Sequence, residues 1–345
     1  MLSELYGQKG ISIMGVSKAV LGDPSIVTAM IQGGARFIAD SRIENIEKMK
    51  AAGIATQFVL LRTPLSQAES VVRSADISLN TELDTLKKLS YYARARNKHH
   101  QVIVMVELGD LREGVLPIDL SEFIRQTLAL SHLKIVGIGC NLACYGGVKP
   151  TDTNMHHLSK LIDLVEKEFQ LGLSIISGGN SANYDWYESS KDIGHINNLR
   201  VGESILLGLE PVNRKEIPGM HTHAFKLVAE VIESKDKPSL PVGEIGQDAF
   251  GNIPVFKDNG TRQRVIIALG KQDILASSLH SDNRFEILGS SSDHIILDTR
   301  NKNLRVGDAM SFNLDYGGLL AAMTSPFIKK QFVDINGPVG TDHQQ

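Results

Sequence analysis

The chain has 345 residues, 42% hydrophobic and 22% charged, so it can bury a large core and is long enough for two domains. A formal net charge of -3 leaves no electrostatic case for nucleic acid or an anionic membrane, and no apolar run approaches the length of a bilayer span. Two cysteines cannot make a disulfide framework for this length, and the opening Met-Leu-Ser-Glu-Leu-Tyr lacks the regions of a signal peptide, so a cytoplasmic protein is expected.

From the N-terminus, short apolar runs alternate with amphipathic helices. Strands are predicted near 12–18, 36–40, 56–61, 76–79, 101–107, 134–141, 173–177 and 198–202. Continuous runs such as Val102-Ile-Val-Met-Val106 suit strands buried on both faces. Asp23 can cap a helix that has Pro24 at its first position and ends at Gly33-Gly34. Residues 157–169 carry apolar side chains at 158, 161, 162, 165 and 169, the period of a core-facing helix. This alternation predicts a (β/α)8 TIM-type barrel. Beyond residue 211, Pro211, Pro218-Gly219, Pro238, Pro241-Val-Gly243 and Asp258-Asn-Gly260 punctuate short β-branched runs. The predicted class is therefore α/β plus β: a barrel over residues 1–215, then a mainly β domain over 216–345.

Lys18 closes the first run, Ile11-Ser-Ile-Met-Gly-Val-Ser-Lys18. A lysine at the C-terminal end of a barrel strand stands where a Schiff-base amine would, and desolvation there would lower its pKa. A solvated strand-end lysine is the bland alternative. Arg112 falls in the loop after the fifth strand, where a solvated turn residue is equally natural. Gly178-Gly179-Asn180-Ser181 follows the seventh strand and opens a helix, so glycines, helix N-terminus and the Ser181 hydroxyl could receive an anion. A glycine turn with an ordinary cap fits the same residues. Arg200 ends the eighth strand and Gly202 follows; a surface ion pair is its alternative. Cys140-x3-Cys144 with His156-His157, and His221-x-His223, fit packing better than a metal site. Asp293 and His294, as strand neighbours, are expected to point to opposite faces. Neither a G-x-G-x-x-G nor a P-loop pattern is present.

In order and spacing these segments resemble the pyridoxal 5'-phosphate (PLP) barrel of the alanine racemase family, over nearly the whole chain. Val16-Ser-Lys18-Ala19 is similar to the motif of the family's Schiff-base lysine. Glu107-Leu-Gly-Asp-Leu-Arg112-Glu-Gly114 looks like the segment whose arginine contacts the cofactor's phenolic oxygen and the substrate carboxylate. Asn180-Ser181-Ala182 matches the phosphate loop, and Arg200-Val-Gly202 resembles the segment whose arginine meets the pyridine nitrogen. Ala39-Asp-Ser-Arg-Ile-Glu-Asn45, Asn141-Leu-Ala-Cys-Tyr-Gly-Gly147 and Ser291-Ser-Asp-His294 are similar to the ornithine-racemase branch.

Departures from the family pattern carry their own expectations. The tyrosine after the lysine motif gives way to Leu21-Gly22-Asp23, and the histidine after strand six is replaced by Asn141. The second proton-transfer group, a tyrosine from the partner's β domain, has no counterpart in Val242-Gly-Glu244-Ile-Gly. Glu244 is the positional candidate and Asp293 the acidic alternative, and either could instead bind a substrate ammonium. Residues 1–10 are too few for the further strand and helix with which family members begin.

The resemblance implies a PLP-dependent racemase of ornithine or another basic amino acid. Lys18 would move the α-proton on one face and a group of the second subunit on the other. Arg112 would hold the substrate carboxylate bidentately, in a head-to-tail homodimer with shared sites. A basic substrate would want a carboxylate at its far end, with Glu244, Asp248 and Asp293 as candidates. Two alternatives stay open. One is a D-amino-acid aldolase or dehydratase, which holds a metal through a His-x-Cys or His-x-Asp pair. The other is a PLP-binding homeostasis protein, whose relatives stop after the barrel.

Overall fold

The structure, a computed structural model, describes residues 1–280, 285–300 and 303–333. The chain divides into two compact units, Met1–Phe225 and Lys226–Gln345. In the first, eight strands form a closed parallel barrel in sequence order. They are β1 (Ser12–Val16), β2 (Phe37–Asp40), β3 (Phe58–Leu60), β4 (Ile77–Asn80), β5 (His100–Val106), β6 (Leu133–Cys140), β7 (Ile175–Asn180) and β8 (Asn198–Val201). Parallel pairing of β8 with β1, Ser12 opposite Asn198 through Gly15 opposite Val201, closes the ring.

The strands read as unbroken apolar runs because both of their faces are covered. Alternate side chains (Met14 and Val16, Phe37 and Ala39, Ile77 and Leu79, Ile103 and Met105) pack into one buried cluster that fills the barrel. The intervening ones face the outer helices. Asp23 caps the helix Pro24–Gln32 by accepting from the Ser25 and Ile26 amides, with Pro24 at the first position. The helix Asp152–Phe169 begins on a Thr151–Asn154 capping box and buries Leu158, Leu161, Ile162 and Val165.

The N-terminal segment forms the helix Leu2–Gly7 rather than a strand. Tyr6 is fully buried and meets the Tyr187 ring edge-on, centroids 4.7 Å apart. Lys9 Nζ donates to the carbonyls of Tyr187 and Ser190. Residues 216–225, expected in the second domain, belong to the first unit. Ile217 is buried there and its amide donates to the Gly208 carbonyl.

The second unit is a six-stranded antiparallel sheet, ordered β11-β14-β9-β10-β13-β12. Its strands are β9 (Leu227–Pro238), β10 (Thr261–Ile267), β11 (Leu279–His280), β12 (Glu286–Ser290), β13 (Ile295–Asp298) and β14 (Ala309–Leu314). Strand β9 alternates buried Leu227, Ala229 and Val231 with exposed residues, the pattern of a sheet with one covered face. No strand from the N-terminal segment joins this sheet among the described residues.

His100 opens β5 at the end of the barrel away from Lys18, and its Nε2 shares a 2.8 Å hydrogen bond with Ser78 Oγ. Burial, assisted by the Lys98 charge, lowers its pKa from 6.5 to about 4, so the native ring is neutral at pH 7. Below about pH 6.5 the unfolded chain binds the proton first, so stability present above that pH is lost as pH falls towards 4. The melting temperature should therefore fall between pH 7 and pH 5, with about 2 kcal/mol lost to this group. His100→Gln should flatten that slope; equal slopes in thermal melts of both proteins would acquit the histidine.

Candidate active site

A closed parallel barrel delivers the C-terminal ends of all its strands to one rim. Lys18 follows β1, Asp40 ends β2, Arg112 lies beyond β5, Asn141 follows β6, Asn180 ends β7 and Arg200 lies in β8. Residues from opposite ends of a long stretch of chain thus share one mouth.

Lys18 begins a short 3-10 turn, Lys18–Val20, whose exit needs left-handed backbone at Leu21 and Gly22. The ammonium is half-buried and has no hydrogen-bond or ion-pair partner among the described residues. Burial lowers its pKa, and the Arg112 and Arg200 charges act in the same direction, while Cys144 and Asp40 oppose them. Just behind it, the buried Asp40 carboxylate accepts from Ser17 Oγ at 2.7 Å, Arg42 N at 2.9 Å and Asn45 Nδ2 at 3.0 Å. Burial nevertheless raises the Asp40 pKa.

Arg112 is forked onto Glu113 through Nε and Nη2, and its Nη1 donates to Cys144 Sγ. The bidentate grip expected for a substrate carboxylate is thus already taken by a neighbouring residue. Two of the guanidinium's five N–H groups remain for another anion. The Glu113 pairing holds the Arg112 pKa above its ordinary value. Buried Asp110 pins the facing loop, its carboxylate accepting from the Cys144, Tyr145 and Val148 amides.

Arg200 is buried in β8, where Nη1 donates to Ser177 Oγ at 2.6 Å and Nη2 to the Cys140 carbonyl at 2.7 Å and Asn141 Oδ1 at 3.3 Å. Desolvation lowers its pKa to about 10, which leaves it charged at neutral pH. Asn141 Oδ1 also receives Asn180 Nδ2 at 3.0 Å, whereas Asn141 Nδ2 is buried with no partner among the described residues. Asn180 spends its side chain on Asn141, the Leu142 carbonyl and the Ala182 amide. Ser181 Oγ accepts from the Gly202 and Ser204 amides at 3.3 and 3.2 Å, which ties two expected phosphate contacts together.

The glycines before Asn180 have a packing reason of their own. Strand β7 runs on to Asn180, and a Cβ at Gly178 would stand 2.7 Å from Ile196 Cγ2, one at Gly179 2.3 Å from Asn183 Oδ1. Strand β7 leads into a 3-10 turn, Ser181–Asn183, and then into the six-residue helix Tyr184–Ser189.

Glu244 and Asp293 belong to the second unit. Glu244 is exposed in the strandless stretch between β9 and β10 and has no hydrogen bond or ion pair among the described residues. Asp293 sits in a bend before β13, not on a strand, and its Oδ1 lies 2.9 Å from His294 Nδ1. The pair expected to diverge therefore converges, because a bend lacks the alternation of a strand. Cys140 is buried and Cys144 exposed, and among the described residues no group of three or more His, Cys, Asp or Glu is arranged to hold a metal.

Residues 2–211 match the family described as "Alanine racemase, N-terminal domain". This chain belongs to the alanine racemase family. It is 46% identical to the ornithine racemase of Acetoanaerobium sticklandii over 323 residues, 92% of this chain and 91% of that one. It is 39% identical to the lysine racemase of Thermotoga maritima over 332 residues, 95% and 93% of the two chains. Its fold is shared with the alanine racemase of Clostridium difficile 630 at TM-score 0.68 and 17% identity, covering 92% of this chain and 89% of that one. The Bartonella henselae alanine racemase, solved with covalently bound pyridoxal phosphate, aligns at TM-score 0.68 and 20% identity over 93% of both chains.

Several residues at the mouth of this alanine racemase family barrel carry no signal of their own in the sequence. Asp40 and Cys144 lie inside longer family-like phrases that give them no separate role. Glu113 fills a variable place in the Arg-x-Gly pattern, and only the fork onto Arg112 reveals it. The electrostatic link to Lys18 is testable on the cofactor-free protein. Arg112→Gln should raise the Lys18 pKa, and Glu113→Gln, which leaves Arg112 uncompensated, should lower it. Titration of 13C-dimethylated lysine by NMR reads both shifts, and opposite signs would refute the coupling.

Proposed function

We propose that this protein is an isomerase: a PLP-dependent racemase that interconverts the L- and D-forms of ornithine or another basic amino acid. The observation that carries the reading is Lys18, a desolvated amine without a partner among the described residues, at the barrel mouth of an alanine racemase family chain. The relatives named ornithine racemase and lysine racemase support a basic substrate. Two free thiols fit the cytoplasmic setting.

The residues present fit the cofactor. Asn141 Nδ2 is a buried donor awaiting a partner, and Ser181 Oγ, already accepting two amides, keeps its own proton to donate. Lys18, Asn141, Ser181, Arg200 and Gly202 would hold PLP, with Arg112 at its edge and Asn180 bracing Asn141 from behind. When bound, PLP supplies an aldehyde for the lysine amine and a conjugated ring that spreads the charge left by a departing α-proton. Lys18 Nζ takes that proton on one face, and its lowered pKa favours the unprotonated form that can do so. Arg200 stays a cation and keeps its protons, so it offers hydrogen bonds and charge without acting as an acid. Arg112 turns its two free N–H groups to the substrate carboxylate.

The proposed assembly is a head-to-tail homodimer in which Glu244 and Asp293 of one chain serve the barrel mouth of the other. Hydrogen bonds from Ser292 and His294 hold the Asp293 carboxyl below its usual pKa. That favours a permanent carboxylate for the substrate's distal ammonium over a proton carrier.

The test is incubation of PLP-loaded protein with single L-enantiomers, ornithine, lysine, alanine and serine, followed by chiral chromatography. D-ornithine should appear, and Lys18→Ala should abolish it. Release of glycine and an aldehyde instead would indicate aldol cleavage, and no product from any amino acid would overturn the racemase reading. Full activity in a protein that sediments as a monomer would overturn the shared site.

A further inference from the structure

We infer that Cys144 is the acid/base on the substrate face opposite Lys18, so that one barrel supplies both proton-transfer groups. The inference rests on the racemase reading above and departs from it in placing the second group outside the β unit.

Position supports it first. Cys144 follows β6 and Lys18 follows β1, three strands apart around an eight-strand ring, with Asn180 and Arg200 on the strands between them. The two residues thus reach the same mouth from different strands, within electrostatic range of each other. The thiol is exposed, so solvent reaches it. Arg112 Nη1 donates to its sulfur, and Cys144 acts electrostatically on both Lys18 and Arg112.

The loop is built to hold this sulfur in place. Asp110 fixes the Cys144 and Tyr145 amides from below, and the Gly146 amide donates to the Asp110 carbonyl. Both contact partners follow a non-glycine residue in left-handed backbone: Leu111, φ 57°, before Arg112, and Ala143, φ 51°, before Cys144. Such conformations persist only where surrounding contacts enforce them. Asn141, three residues earlier on the same strand end, is 8% exposed and leaves an amide nitrogen without a partner among the described residues, beside this loop. The other cysteine serves as the internal contrast. Cys140 is fully buried, donates to the Gly178 carbonyl, and burial pushes its pKa up to about 12.

Chemistry favours the thiol over the acidic candidates. A thiol is a weaker acid than a carboxylic acid, so it can both give a proton to a carbanion and, as thiolate, take one back. In one direction Lys18 Nζ takes the α-proton and the Cys144 S–H gives its proton to the opposite face of the same carbon. Lys18 is left as ammonium and Cys144 as thiolate, and exchange with solvent restores the pair. In the other direction the thiolate takes the proton and the Lys18 ammonium returns one.

The experiment compares PLP-loaded wild type, Cys144→Ala and Cys144→Ser in D2O with L- and D-ornithine separately. Chiral chromatography reads racemisation and mass spectrometry reads deuterium at Cα. Both variants should lose racemisation by at least about 100-fold, the reach of a general acid/base. They should still exchange the α-hydrogen of one enantiomer, the one whose proton faces Lys18. Independently of turnover, iodoacetamide should label Cys144 and spare Cys140 in wild type, and saturating ornithine should slow that labelling. Racemisation within about threefold of wild type in either variant overturns the inference and returns the role to Glu244 or Asp293. So does loss of exchange for both enantiomers, or labelling indifferent to substrate. A wild type that racemises nothing would overturn the racemase reading itself, a different result from a failed variant.

Discussion

A guanidinium cannot be buried without acceptors, and the polar architecture of this site follows from meeting that demand at Arg200. Its acceptors are Ser177 on β7, the last carbonyl of β6 and Asn141 just beyond it, so one charge couples three strand ends. Asn141 then fixes Asn180, which in turn holds Leu142 and caps the turn that presents Ser181. Ser181 gathers Gly202 and Ser204 from the far side of β8. All the Arg200 partners are neutral dipoles, so the positive charge is solvated without being cancelled. An anionic or electron-rich ligand would find it still available.

The wider charge pattern has the same logic. Three cations, Lys18, Arg112 and Arg200, face one mouth, and of the nearby acids Glu113 is spent on Arg112 and Asp110 on backbone amides. Asp40 is aimed at Ser17 and Asn45. The amine is therefore left desolvated among like charges, which is what distinguishes it from an ordinary strand-end lysine.

The barrel was legible because strands covered on both faces must be written as continuous apolar runs, and helices as 3.6-residue stripes. Lys18 and Arg200 were legible as basic residues at strand ends. The contacts around them were not, since Ser177 meets Arg200, and Glu113 and Cys144 meet Arg112, only through ring closure and loop conformation. The glycines of 178–179 illustrate the limit: a sequence shows that space is needed, not that Ile196 and Asn183 occupy it. The bend at Asp293 escapes for a related reason, as the β-branched run of β13 begins two residues later than its polar preface suggests. Pro211 and Pro218-Gly219 mark a boundary near residue 215, but the buried Ile217 outweighs that punctuation.

Ring closure also sets a schedule. The first strand can complete its hydrogen bonds only when the eighth has been made; Ser12 and Asn198 are 186 residues apart. At ribosomal rates of about 5–20 residues per second, that is a wait of roughly 10 to 40 s during synthesis. Throughout it, β1 keeps one unpaired edge and an apolar surface, the features that chaperones bind and aggregates recruit. The second sheet draws all its strands from one later stretch of chain and carries no such debt to the N-terminus. The vulnerable interval in this protein's life thus belongs to the half-made barrel.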